Sequence, residues 1–242
     1  RFQPAAVLKA NRSSAEPLGT GRLRNGLVVV QFAVSIALII CTLVVYNQTV
    51  FARTTDPGYQ REGLLIVDGI IDPQVRPLRE TLQREIARIE GVEAVAGTMM
   101  APGEGRQLFK MARVPGSAEP VQLGFYSVEP NFFEAMKMDV LAGRPLSRQY
   151  ANDNVFVDPE LDEEGVDAAA AAINARGFNI VINETAARRL GFATPQAAVG
   201  RQVSMPPFSE GRGPAAATIV GVVEDARFRS LREPVEPIAY YD

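Results

Sequence analysis

Between Tyr150 and Gly177 the chain gathers Asp153, Asp158, Glu160, Asp162, Glu163, Glu164 and Asp167. Calcium takes oxygen ligands at alternating positions of a short loop, so an EF-hand-like site is the sharpest chemistry this stretch offers. The pattern fails twice. Glu163 stands where the loop needs glycine, and Ala169 stands where it needs a bidentate Glu. The stretch reads instead as a solvated acidic loop, followed by a short helix over the Ala-rich Ala168–Ala172 with Asp167 as its N-cap.

Other chemistries are removed by composition. The chain has no histidine, which excludes Ser-His-Asp and Cys-His catalysis and the usual zinc sites. Its one cysteine, Cys41, lies in an apolar run, so the rest of the chain forms neither an internal disulfide nor a thiolate metal site. No Gly-x-x-x-x-Gly-Lys-Ser/Thr phosphate loop occurs. Carboxylates are abundant, yet no spacing singles out a pair for glycoside hydrolysis. Arg144 and Arg201 each follow a glycine, which suits turn positions where they pair with nearby carboxylates. Asn183-Glu184-Thr185 matches the glycosylation triplet, but its place between an apolar strand and a helix favours an N-cap. A net charge of −3, the absence of Trp and the lack of a basic aromatic patch argue against nucleic acid. The reading is therefore of a non-enzyme with no catalytic, cofactor-binding or metal residues and no cofactor.

The elements that carry these residues begin with Leu27–Tyr46, an uncharged run interrupted only by Gln31, Ser35, Cys41 and Thr42. As a helix it is about 30 Å long, the thickness of a bilayer's hydrocarbon core. A signal peptide would have a shorter apolar region and a small-residue cleavage site, whereas Tyr46-Asn47-Gln48 follows here. Gln31 and Ser35, four apart, mark a face that packs on a neighbouring helix. Arg1, Lys9, Arg12, Arg22 and Arg24 precede the run and only Glu16 opposes them. By the positive-inside rule, the first 25 residues face the cytoplasm and the remainder lies outside it.

Beyond the span the pattern is α+β. No breaker appears before the Asp56-Pro57-Gly58 turn, so the helix continues as a stalk. Leu64–Val67 reads as a buried strand. Val75, Leu78, Leu82, Ile86 and Ile89 trace an amphipathic helix stopped by Gly91, and Val92–Ala96 reads as a second strand. Short strands follow around Lys110–Val114 and Val121–Ser127, then a helix turning Phe132, Phe133 and Met136 inward. Asn179–Ile182 is a strand, Asn183 caps a helix through Leu190, and Gly191 ends it. Thr218–Val223 and Ile238–Tyr241 are the last strands.

Read in order, these segments resemble the FtsX/MacB superfamily of ABC-transporter permeases, as one extracytoplasmic core domain with its leading membrane helix. The matching pieces are Leu23–Leu27 with Gln31–Leu38; Pro57-Gly58-Tyr59 before Leu64–Val67; and Val128–Phe133 leading to Leu141–Arg144. Val181–Leu190, Val199-Gly200-Arg201, Ile219–Asp225, Ser230-Leu231-Arg232 and Pro237–Tyr241 complete the series. Each is weak alone; the shared order carries the resemblance. Phe2–Lys9 is similar to the cytoplasmic segment after a first helix group in duplicated permeases, so the chain reads as cut from the second half of a longer one. The acidic 150–177 stretch is longer than the family pattern.

The resemblance implies a two-part outer domain: a Porter-like sheet plus helix, with an inserted Sabre-like subdomain. The expected division is 1–25 cytoplasmic, 26–47 transmembrane, 48–62 stalk and turn, 63–104 the first Porter-like segment, 105–210 the Sabre-like insert and 211–242 the second Porter-like segment. It further implies a bacterial cytoplasmic (inner) membrane protein, periplasmic after about residue 47. Its partners would be a separate ATP-binding cassette subunit, a second permease half or homodimer, membrane lipids and a periplasmic adaptor protein, with no nucleic acid. The implied function is to couple ATP hydrolysis by that subunit to movement of the outer domain, for export, efflux or lipoprotein release. A membrane-anchored binding or sensor module and an activator of a cell-wall hydrolase stand as alternatives.

Overall fold

The apolar run becomes one uninterrupted helix, α1 (Thr20–Thr54), in the computed structural model, which describes residues 20–70, 72, 75–99, 101–103, 108–117, 119–157, 161–206 and 214–242. At about 1.5 Å per residue, 35 residues reach roughly 50 Å, well beyond the hydrocarbon thickness of about 30 Å. An 18-residue stretch of it reaches a mean hydropathy of 2.8, and its aliphatic side chains are exposed, so α1 is long and apolar enough to cross a membrane. Hydroxyls inside it fold back on the helix itself: Ser35 Oγ donates to the Gln31 carbonyl (2.9 Å) and Thr42 Oγ1 to that of Leu38 (2.8 Å). The Gln31/Ser35 pair thus has a local bond of its own.

Contacts divide the chain after Thr55, and Asp56–Asp242 forms the second unit. Its frame is a mixed sheet of β1 (Phe109–Ala112), β2 (Val121–Ser127), β3 (Val140–Gly143), β4 (Phe178–Asn183), β5 (Gln202–Met205), β6 (Ala215–Val223) and β7 (Ile238–Tyr241). The order is β1-β2-β7-β4-β6-β3, with β5 beside the first half of β6. The terminal strand β7 sits in the middle, parallel to β2 and antiparallel to β4. Beyond β5, the Ser204 and Arg113 backbones exchange two hydrogen bonds (2.7 and 2.8 Å), which brings β5 to the free edge of β1. This nearly closes the sheet into a barrel and leaves little bare edge there.

Strand alternation sorts the side chains into two cores. Leu123, Phe125, Phe178, Ile180, Ile182, Val203, Ile219 and Ala239 point to one face, where Ile173 of α4 (Glu163–Arg176) joins Ala186, Ala187 and Leu190 from α5 (Glu184–Arg189) and its end. Tyr126, Val181, Val223, Ile238 and Tyr240 point to the other, beneath Phe132 and Phe133 of the short helix α3 (Phe132–Ala135) and Phe228. Both cores draw their buried residues from the second unit.

The α+β class is as expected, and β1, β2, β4, β6 and β7 lie where the pattern put them. Three local expectations need correction. Leu64–Val67 and Val92–Ala96 join no strand ladder, and the helix between them, α2, is only Arg79–Ile86, with Leu78 and Ile89 exposed. Both edges of β2 and β7 are already taken by other strands, so these runs gain no place in the sheet's centre. Only Thr98 bridges, to Val128. α4 starts earlier than expected, at Glu163. Its cap is Asp162, whose Oδ1 accepts from Gly165 N (2.9 Å), and not Asp167. Asp72-Pro73 as the opening of an element, and Asp158 and Glu160, fall at least partly outside the described residues.

Candidate functional site

Three of the sequence pieces meet at one place, where the chain leaves α1. Thr55 N still donates to the Phe51 carbonyl (2.9 Å), and the Asp56 carboxylate then accepts from Gly58 N (2.8 Å), which sets a tight turn. Pro57 O accepts from Arg227 N (2.7 Å), and Gln60 N donates to Met136 O (3.0 Å). Gly58 has φ +78° and packs so close to the Asp225 carbonyl that a Cβ there would overlap it. Tyr59 stacks at 5.4 Å on Phe228, whose ring also neighbours Tyr126 and Phe132 at 5.8 and 6.0 Å. Backbone bonds on both sides and an aromatic plug therefore anchor residues 57–60 in the second core.

Asp225, just past β6, is the hub of this joint. Its carboxylate accepts from Thr185 N (2.8 Å), Thr185 Oγ1 (2.6 Å) and Arg188 Nη2 (3.0 Å). Arg188 also pairs with Glu184 (3.1 Å). An anion at the first turn of α5 suits the helix's positive end. One residue before that helix, fully buried Asn183 caps Ala186 N (3.0 Å) with Oδ1, accepts from Ile238 N (2.8 Å) on the same oxygen, and donates Nδ2 to Glu236 O (2.7 Å). The triplet beginning at Asn183 is structural: its amide is buried and hydrogen-bonded through both its oxygen and its nitrogen, which leaves no room for a sugar.

Two further hubs hold the neighbouring segments. Glu129 accepts from Gly97 N (2.9 Å) and Gln83 Nε2 (2.9 Å) and lies 3.6 Å from Arg79. It ties the helix Arg79–Ile86 and its following segment to the end of β2. Arg144 grips Asp153 with both terminal nitrogens (2.5 and 3.0 Å) and lies 3.8 Å from the Tyr150 ring. Asp153 also accepts from Asn179 Nδ2 (2.6 Å) and Ser147 N (2.7 Å). Burial pushes its pKa up, but the bonds from Arg144, Asn179 and Ser147 and the guanidinium charge outweigh that and hold it below the usual carboxylate range.

Asp153 is thus a buried ion-pair member, a correction to its reading as part of a solvated acidic loop. Glu163, Glu164 and Asp167 do lie exposed on α4. The expectation for Arg144 holds, since it pairs with a nearby carboxylate. Arg201 pairs with none among the described residues. Sequence reasoning singled out neither Asp225 nor Glu129 as a hub. The available signal was a carboxylate placed directly after an apolar strand, at Val223-Glu224-Asp225 and at Val128-Glu129.

The model of the MacB-like periplasmic core domain matches residues 27–234, a stretch that includes most of α1, the joint and all three hubs. The chain belongs to this family. Among solved structures it is similar to the periplasmic region of MacB from Actinobacillus actinomycetemcomitans, at 12% identity over 67% of this chain and 53% of that one, TM-score 0.37. It is also similar to the extracellular domain of the noncanonic ABC-type transporter YknZ from Gram-positive bacteria, at 16% identity over 67% and 60%, TM-score 0.35. The chain spans little more than half the length of these structures. No curated protein matches it. The chain thus carries a MacB-like periplasmic core domain, led by one helix long and apolar enough to cross a membrane.

Proposed function

We propose that this MacB-like chain is a non-enzymatic permease segment that transmits force. ATP hydrolysis by a separate cassette subunit moves the membrane helices, and the outer domain follows, driving export, efflux or lipoprotein release. The observation that carries the reading is the continuity of the link. α1 runs unbroken to Thr54, and a few residues on the chain is bonded to the rest of the second unit at Pro57, by Arg227 N, and at Gln60, by Met136 O. The segment from Gln48 to Glu62 also lacks the Gly/Ser-rich composition of a flexible tether. The Asp225 hub and the Asn183 cap beside it spread a displacement of the joint into α5, β6 and the central strand β7.

The test breaks the helix without touching the outer core. Replacing Gln48 and Thr49 by Gly-Pro introduces a residue that costs about 3 kcal/mol in a helix interior and kinks it. In the full-length transporter with its cassette subunit, substrate movement should fall to background while expression and subunit binding persist. Alanines at both positions keep the helix and should be tolerated. If the Gly-Pro variant transports like the parent, the link bears no force and the binding or sensor reading takes its place.

A further inference from the structure

Most described cations of the outer domain are engaged: Arg144 by Asp153, Arg188 by Asp225 and Glu184, Arg227 by the Glu233 carbonyl, and Arg229 by Glu233 and Glu236. Arg113, Arg189, Arg201 and Arg232 hold no side-chain bond or ion pair among the described residues. Three of these four gather in the chain around one feature. An open cleft of about 370 Å³ lies between the C-terminal end of α5 and the start of β5, and Arg201 is part of its wall. Val114, Pro115, Phe192 and Ala197 give it an apolar lining, and no carboxylate lines it. Arg113 directly precedes Val114, and Arg189 stands two residues before the lining Gly191.

The place of the cleft matters as much as its chemistry. Gln202, at its rim, pairs with Thr218 of β6, seven residues before the Asp225 hub. At about 3.3 Å per residue that is roughly 23 Å along the strand from the joint. The cleft therefore belongs to the part of the outer domain that the joint leaves free. It is open on one side, whereas sites for small molecules bury most of their ligand. An unpaired guanidinium beside an apolar shelf complements a carboxylate next to a bulky apolar side chain, because its fork matches the two oxygens while Phe192 and Pro115 cover the apolar group.

We propose that this cleft docks an extended peptide segment of a partner protein in which an acidic side chain flanks an aromatic or aliphatic one, with Arg201 taking the carboxylate. The inference concerns recognition and stands whether or not the stalk transmits force.

The test uses the full-length chain in detergent and a set of fluorescein-labelled octapeptides carrying Glu beside Phe or Leu, with matched sets carrying Gln or Lys instead, read by anisotropy. At least one Glu peptide should saturate, and its Gln counterpart should bind about tenfold more weakly or worse. Arg201→Ala should weaken the Glu peptide by a similar factor, and Ala197→Trp, which fills the apolar shelf, should weaken it too. Arg232→Ala, at an equally unpaired arginine outside the cleft, should leave affinity unchanged. Arg201→Glu should transfer preference to the Lys peptide, which separates a docking role from a loss of folding. The proposal is overturned if no Glu peptide saturates, if Gln peptides bind equally well, or if the Arg201 variants bind like the parent. Displacement of the peptide by phosphatidylglycerol vesicles but not by excess unlabelled peptide would also overturn it, in favour of a lipid-anion site.

Discussion

At the scale of single residues, the outer domain depends on polar groups that are buried and paired. Asn183 uses both ends of its amide on three backbone groups, one of them on the terminal strand. Asp153 is the case that titrates. Its folded pKa lies below its ordinary value, so its pairing stabilises the fold fully above about pH 5. That contribution falls below about pH 5, as the unfolded carboxylate begins to protonate, and is lost as pH drops through the depressed folded value. Asp153→Asn keeps the shape but removes the charge facing Arg144. It should lower stability by roughly 2–3 kcal/mol at pH 7 and flatten the acid limb of the stability curve, as measured by urea unfolding from pH 7 down to pH 3. Equal acid limbs in parent and variant would place the acid sensitivity elsewhere.

At the scale of elements, the joint after α1 is the feature most open to a clean comparison. Gly58 and Gly63 both have φ +78°, so alanine strains the backbone at each by about 1–2 kcal/mol. Only at Gly58 does the new Cβ also meet the Asp225 carbonyl; at Gly63 nothing lies within 4 Å. Gly58→Ala should therefore lower the melting temperature more than Gly63→Ala and should impair transport, while Gly63→Ala remains functional. Matching effects of the two would mean that the close approach is unimportant. Much of this element plan was legible. The uncharged length of α1, the Asn183 cap, the apolar β4 and β6 and the final β7 all announce themselves locally. The failures share a physical cause. Leu64–Val67 has the composition of a buried strand, but composition does not reveal which sheet edge is vacant. Asp162 and Asp167 are equally good caps by type, and the upstream start won because Glu163 and Glu164 then occupy the first turn. Asp153 looked solvated because its partners, Arg144 and Asn179, lie 9 and 26 residues away. The joint and the hubs were equally invisible as a site, since they are formed by residues scattered from Pro57 to Ile238.

At the scale of the whole molecule, the division of labour between the two units sets the direction in which any force must travel. Among the described residues, both buried cores are built from residues beyond Thr55. What the helix contributes is placement, and its charges assign the sides. Arg1, Lys9, Arg12, Arg22 and Arg24 stand before the apolar run, opposed only by Glu16, while the chain as a whole is −3. Lys and Arg flanking a span stay on the cytoplasmic side, so the acidic outer domain is expected across the membrane. Single cysteines at Ser14 and Ser117, in a Cys41→Ser background, report the two sides. Ser117 is exposed and its hydroxyl bonds only its own turn, at the Glu119 carbonyl (3.2 Å), so the substitution leaves the fold undisturbed. In intact spheroplasts an impermeant maleimide should label the residue-117 thiol and spare the one at 14, and both should react once the membrane is permeabilised. The reverse pattern would place the outer domain on the same side as the ATP supply and would remove the need for a force-bearing link through the bilayer.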